Sequence, residues 1–155
     1  MTPELKQQIR KASESLKILD IILFECSLSR PERDPEKLKG TFQHEHKRDV
    51  RFFLGKQSTP EGDVNSLQVL VSLGARLMPP SEPGREDPNA IFIIEADFLV
   101  NYEIKSEIDE ECIKAFADNN AAHNVWPFWR QHVFDTISRA RLPHLDIPLF
   151  LGFMA

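Results

Sequence analysis

The stretch that decides the fold is Leu67-Gln68-Val69-Leu70-Val71-Ser72-Leu73-Gly74-Ala75-Arg76-Leu77. Leu67, Val69, Val71, Leu73, Ala75 and Leu77 recur at every second position with Gln68, Ser72 and Arg76 between them, the alternation of an antiparallel strand with one face on a core. Toward the C-terminus, the Pro- and Gly-punctuated residues 78–89 lead into a fourth strand on which Phe92, Ile94, Ala96, Phe98, Val100, Tyr102 and Ile104 share a face. Its other face mixes Ile91, Ile93 and Leu99 with Glu95, Asp97, Asn101 and Glu103. Toward the N-terminus lie a loop at 58–63 and a strand over 41–55 carrying Phe42, His44, His46, Arg48, Val50, Phe52 and Leu54 on one parity. A turn-rich crossing at 30–40, with Pro31 and Pro35, separates it from a first strand at 16–28. There Leu16, Ile18, Ile22, Phe24, Cys26 and Leu28 fall on one parity, while Leu19, Ile21 and Leu23 fall on the other. A strand apolar on both faces must lie between layers or be covered by a partner.

Helical signals flank this block. Thr2 caps and Pro3 opens a short helix over 2–14. Ser106 is placed to cap a helix carrying Ile108, Cys112, Ala115 and Phe116 on one face. A further helix over 124–140 has Val125, Trp126, Trp129, Val133, Ile137 and Ala140 as its apolar face, with Pro127 in the first turn. Beyond Leu142, Pro143 and Pro148 forbid regular helix, and the alternating aliphatics read as an extended apolar tail over 142–155. Strands followed by helices imply an α+β fold: a four-stranded antiparallel sheet over 16–105, then a helical region over 106–141, in one domain spanning 1–155.

Composition narrows the function. The chain has 155 residues, a formal charge of -5, 41% hydrophobic and 28% charged residues, which is a globular composition without the basic footprint of a nucleic-acid or anionic-membrane binder. No apolar run approaches a bilayer span, and the N-terminus does not read as a signal peptide, so a cytoplasmic protein without membrane insertion is expected. Two cysteines, Cys26 and Cys112, suggest no disulfide framework. There is no Gly-rich phosphate loop, G-x-S-x-G, H-E-x-x-H or Cys-x-x-Cys, and no enzyme is expected. His44 and His46 could begin a metal site, but no third ligand is near, and two solvated strand histidines are the better reading. Cys112 on an apolar helix face reads as core because no cationic setting lowers its pKa. Neither a metal nor a cofactor is expected.

The informative stretch is near the C-terminus: H-N-V-W-P-F-W-R-Q-H-V over 123–133, S-R-A-R-L-P-H-L over 138–145 and P-L-F over 148–150. Together they resemble the helix-and-crossover signature of the SecB family of export chaperones. The fourth strand, I-F-I-I-E-A-D-F over 91–98, is similar to that family's fourth strand with Glu95 at its acidic position, and Asp20 in L-D-I-I-L-F-E resembles an acidic first-strand position. Two departures are visible. This sequence ends at Ala155 without the further helix and acidic tail usual in the family, and its loops after the first and third strands are long and proline-rich. It therefore looks more like the divergent SecB-like branch, some members of which serve toxin-antitoxin systems.

The resemblance implies a homotetramer built as a dimer of dimers, acting as an ATP-independent holdase for unfolded or pre-export polypeptides, with delivery to the SecA translocase as a further role. Candidate client-binding residues are Phe128, Trp129, Leu142, Leu145, Ile147, Leu149 and Phe150, which put aromatic and aliphatic groups on a helix and an extended segment. Asp20, Ile93 and Glu95 are the candidate SecA-docking strip, and Trp126, Val133 and Ile137 are read as oligomer interface or core. Two other classes stay open: an interaction module for one partner such as an antitoxin, and a small roll-type enzyme or ligand carrier with a pocket between sheet and helices.

Overall fold

The alternation at 67–77 becomes an inner strand of the sheet. In the computed structural model, which describes residues 1–80 and 89–148, the chain runs α1 (Pro3–Ser15), β1 (Leu16–Ser29), β2 (Gln43–Thr59), β3 (Gly62–Met78), β4 (Phe92–Ile104), α2 (Glu110–Phe116) and α3 (Ala122–Ala140). A 3-10 turn, Pro35–Lys37, sits in the β1–β2 crossing, and a π-helical turn, Ala117–Ala121, joins α2 to α3. The sheet order is β1-β4-β3-β2 with every neighbouring pair antiparallel. This is the α+β arrangement of four strands followed by helices that the sequence implies.

Register explains the layering. Leu67, Val69, Val71, Leu73, Ala75 and Leu77 of β3 lie opposite Tyr102, Val100, Phe98, Ala96, Ile94 and Phe92 of β4, and all are buried beneath the helices. The Leu, Val, Ile and Phe side chains among them each contribute about 1.5–3 kcal/mol when fully removed from water. Phe116, Ala117, Ala121, Val125, Trp129 and Val133 close the layer from above, with Tyr102 edge-on to Phe116 at 5.1 Å and its hydroxyl donating to Asn124 Oδ1 at 2.7 Å. Burial pushes the Tyr102 phenol well above its ordinary ionisation range. Cys112 is buried, as its helix position suggests.

Four local expectations are corrected. The simple period-two reading of β1 fails because register shifts at Ile18/Asp20 and Leu23/Glu25 insert an extra residue at Leu19 and at Phe24. The residues facing the same side as the core are therefore Leu16, Ile18, Ile21, Leu23, Cys26 and Leu28, opposite Ile104, Tyr102, Val100, Phe98, Ala96 and Ile94. The loop expected at 58–63 is a tight hairpin instead, with Thr59 paired to Gly62 around Pro60 and Glu61. Gly62 takes φ +118, a conformation L side chains rarely adopt, and Thr59 Oγ1 donates to its carbonyl at 2.6 Å. Ladder hydrogen bonds carry β2 and β3 through polar residues that show no apolar alternation.

Ser106 does not cap α2; its hydroxyl bonds Ser15 Oγ at 2.7 Å, and the helix begins after Asp109, which has extended backbone angles. The two C-terminal helices are joined by the π turn, where Asn119 Nδ2 donates to the Ala115 carbonyl at 2.7 Å. Because α3 starts at Ala122, Pro127 lies inside the helix rather than in its first turn.

Candidate functional site

α3 and the segment that follows it build a groove from residues the sequence presents separately. The helix stops at Arg141, whose left-handed backbone (φ 55) reverses the chain, while the Leu142 amide donates to the Ile137 carbonyl at 3.1 Å. Pro143 and Pro148 keep residues 142–148 out of regular structure, and the segment returns along α3 until Trp126 Nε1 donates to the Pro148 carbonyl at 2.7 Å. Arg30, in the crossing after β1, donates to the Ala140 carbonyl and so braces the same helix end.

Between helix and returning segment lies a groove of about 470 Å³. Val133, Leu142 and Leu145 are buried and make its floor; Phe134, Ile137 and Ile147 make its apolar walls. Pro127, Arg130, Gln131, Ser138, His144 and Asp146 complete the lining. The polar rim is partly self-satisfied. Gln131 Nε2 donates to Asp135 Oδ1 at 2.8 Å, and His144 Nε2 lies 2.5 Å from Asp146 Oδ1. Within α3, His132 stacks on Trp129 at 6.2 Å, and desolvation, aided by Arg139, holds its imidazole below the ordinary pKa despite the opposing pull of Asp135.

Among the candidate client-binding residues, Leu142, Leu145 and Ile147 come together in this groove, joined by Val133 and Ile137, which the sequence places as interface or core. Leu142 and Leu145 are floor rather than open surface, because the Trp126 tether pulls the segment onto the helix. Trp129 is corrected: at 1% exposure it is core, since it shares the buried stripe of Val125 and Val133 on α3. Trp126 is core as well. Phe128 is exposed but does not line the groove. Leu149 and Phe150 lie outside the described residues. Sequence reading omits Phe134 and Arg130 from the site, although their spacing from Pro127 and Ser138 at three and four residues already places them on one helix face.

The proposed docking strip does not assemble. Asp20 pairs with Asn101, six residues along β4 from Glu95, a separation of roughly 20 Å at strand rise. Asp20 instead accepts a hydrogen bond from Asn101 Nδ2 at 2.5 Å, and Asn101 Oδ1 accepts from Gln68 Nε2 at 2.9 Å. Glu95 is held by Lys47 Nζ at 2.8 Å, across Gly74, where an added Cβ would stand 2.6 Å from Lys47 Cε. Ile93 lies beside this pair in a second cleft of about 290 Å³ that also includes Glu45 and Arg76, themselves an ion pair. His46 lines it too, its pKa lowered by desolvation and by His44.

A second apolar surface lies on β1. Among the described residues this end strand leaves one edge unpaired, and it exposes Ile18, Ile22, Leu23, Phe24 and Leu28. Among the described residues no group of three metal-ligating side chains converges, and no helix is long and apolar enough to cross a membrane.

Comparison with solved structures decides the fold family. The chain superposes on the Mycobacterium tuberculosis SecB-like chaperone Rv1957, solved in complex with a ChAD peptide from the Rv1956 HigA1 antitoxin, with a TM-score of 0.63 over 95% of this chain and 99% of that one. The chain has the SecB-like fold. At 16% identity the likeness is one of architecture, in keeping with a divergent sequence. No protein-family model matches the chain, and no curated protein matches it in sequence. On this SecB-like fold, the groove lies between α3 and the returning segment, and the exposed apolar strand is β1.

Proposed function

We propose that the chain is an ATP-independent holdase that takes extended apolar segments of unfolded polypeptides into the groove between α3 and residues 142–147. The observation that carries this reading is the groove itself: a volume of about 470 Å³ floored and walled by aliphatic and aromatic side chains. That is about three times a cavity of roughly 150 Å³ that accommodates benzene, so it has room for two or three client side chains. A site that binds by apolar area needs no nucleotide, metal or cofactor.

The second surface supports self-association. A long unpaired strand with large aliphatics on both faces would aggregate if left open, and a two-fold interface covers it by joining the same patch on two copies. We therefore read β1 as the contact of a homodimer, with the dimer of dimers as the full assembly in the cytoplasm. Delivery to SecA has less support, because Asp20 and Glu95 are far apart and Glu95 is already paired. A dedicated chaperone for one partner, such as an antitoxin, is the second reading, favoured by the likeness to a chaperone solved with an antitoxin peptide.

Light scattering of several unrelated aggregating proteins, without ATP, tests both readings. Suppression of most of them at equimolar chain supports the general holdase, and suppression of none refutes it. Protection of a single cognate partner alone would select the dedicated role.

A further inference from the structure

We infer that the groove holds its client as an added β-strand, with the main-chain edge of residues 144–147 as the template. The preferred ligand is then an extended segment, free of proline, with apolar side chains at alternate positions. This rests on the proposed holdase groove and adds how the client's main chain is held. The returning segment is anchored at both ends: the Leu142 amide donates to the Ile137 carbonyl, and Trp126 Nε1 donates to the Pro148 carbonyl. Trp126 and Ile137 stand eleven residues apart on α3, about 16 Å at a helical rise of about 1.5 Å per residue. The six steps from Leu142 to Pro148 would climb only about 9 Å as a helix and reach roughly 20 Å when extended. Only a nearly extended chain spans the gap.

An extended chain sends successive side chains to opposite faces. Yet His144, Leu145, Asp146 and Ile147, four in succession, all line the groove, with Leu145 buried on its floor and His144 and Asp146 exposed on its rim. Both parities border one cleft only where the strand meets it edge-on, and that edge carries the main-chain N–H and C=O groups. Among the described residues, the main-chain groups of 144–147 bond no partner. Pro143 and Pro148, which lack the N–H, bracket the stretch and leave it four donors. An unpaired edge beside an apolar cleft is what strand addition uses: main-chain bonds supply affinity whatever the sequence, and alternate side chains supply the preference. One residue in two turns its N–H and C=O toward the added strand, so two residues of 144–147 serve a client. Every second client side chain then meets the floor of Val133, Leu142 and Leu145. A holdase for unrelated clients gains from this, because the main chain is the one feature that all of them share.

A labelled octapeptide with Leu or Phe at alternate positions and Gln between them is prepared with each residue in turn N-methylated, which deletes one main-chain donor and puts a methyl group in its place. Binding to the unaltered chain is read by fluorescence anisotropy. Affinity should fall about tenfold at alternate central positions and less than about twofold at those between, since only one parity of the client donates to the template. With near-saturating unmodified peptide, amide hydrogen exchange should slow about tenfold at one alternate pair, either His144 and Asp146 or Leu145 and Ile147, and not at the other. Losses without alternation, or affinities within about twofold throughout the series, would overturn strand addition while keeping the groove. Unchanged exchange at all four amides would do the same. Failure of the unmodified peptide to bind would overturn the groove reading and strand addition with it.

Discussion

Phe134→Ala separates binding from folding most sharply. Phe134 is 63% exposed, so it realises only about a third of the roughly 1.5–3 kcal/mol that full burial of such a side chain gains. Truncation should cost about 0.5–1 kcal/mol of stability. Leu145, on the groove floor, is 3% exposed, and a buried Leu→Ala change costs about 2–5 kcal/mol because a cavity remains. The two variants therefore differ in kind. If clients rest on the groove wall, loss of the central aromatic anchor costs about 2 kcal/mol of binding, near 30-fold in Kd. Urea denaturation and anisotropy with a labelled Leu/Phe peptide measure both quantities on the same samples. Phe134→Ala should lower its midpoint only by the little that about 0.5–1 kcal/mol allows and bind about 30-fold more weakly. Leu145→Ala should lose midpoint first. A Phe134→Ala protein that binds within twofold of the parent would refute the groove as the client surface, since no loss of fold could mask the result.

Ile22→Asp combined with Leu23→Asp places charge on both faces of β1, at side chains 42% and 48% exposed, and multi-angle light scattering should then report the 17.8 kDa chain where the parent reports a multiple of it; a parent already at 17.8 kDa would remove self-association. A double-mutant cycle on Lys47 and Glu95, both substantially exposed, should return a coupling below about 1 kcal/mol that shrinks with salt, and Gly74→Ala should weaken the same pair by displacing the lysine stem. A coupling above about 2 kcal/mol would mean the pair is far less solvated than it stands. His46 and His132 both have folded pKa values below the ordinary 6.5, chiefly through desolvation, so below about pH 6.5 the unfolded chain takes up their protons first. Their contribution is intact above that pH and is lost as pH falls through the folded values, and His46→Gln with His132→Gln should flatten the decline between pH 7 and 5; an unchanged slope would count against it.

The sheet was legible because its strongest signals are local: the alternation at 67–77 and 92–104 reports a one-sided strand wherever the chain later goes. The extra residues at Leu19 and Phe24 were not, since a bulge exists only relative to the partner strand, here β4. The polar hairpin end was invisible for a related reason: its ladder is made by main-chain groups that any sequence possesses. For the site, the residue types were legible and their sides were not. Trp129 could have been placed in the core from its four-residue spacing to Val125 and Val133, whereas Leu142 and Leu145 needed the path of the returning segment, fixed by one bond from Trp126 to Pro148. The Arg30 contact with Ala140, 110 residues away in sequence, has no local trace at all.

The two end strands of the sheet explain why exposed apolar surface need not mean uncontrolled aggregation. β2 carries Lys47, Arg48, Arg51 and Lys56 along its length, and such charges discourage another strand from pairing with it. Phe53 and Leu54 are exposed there, but Arg51 and Lys56 flank them. β1 has only Lys17, Asp20 and Glu25 over its fourteen residues, and Asp20 is occupied by Asn101. One end of the sheet is thus guarded and the other is open. A second copy at β1 would remove the open edge and leave the α3 groove, built on the helical layer by the returning segment, as accessible apolar surface for a client. Self-association and client binding then use different surfaces, which is why charge placed on β1 should alter mass, whereas Phe134→Ala should weaken binding and leave the mass unchanged.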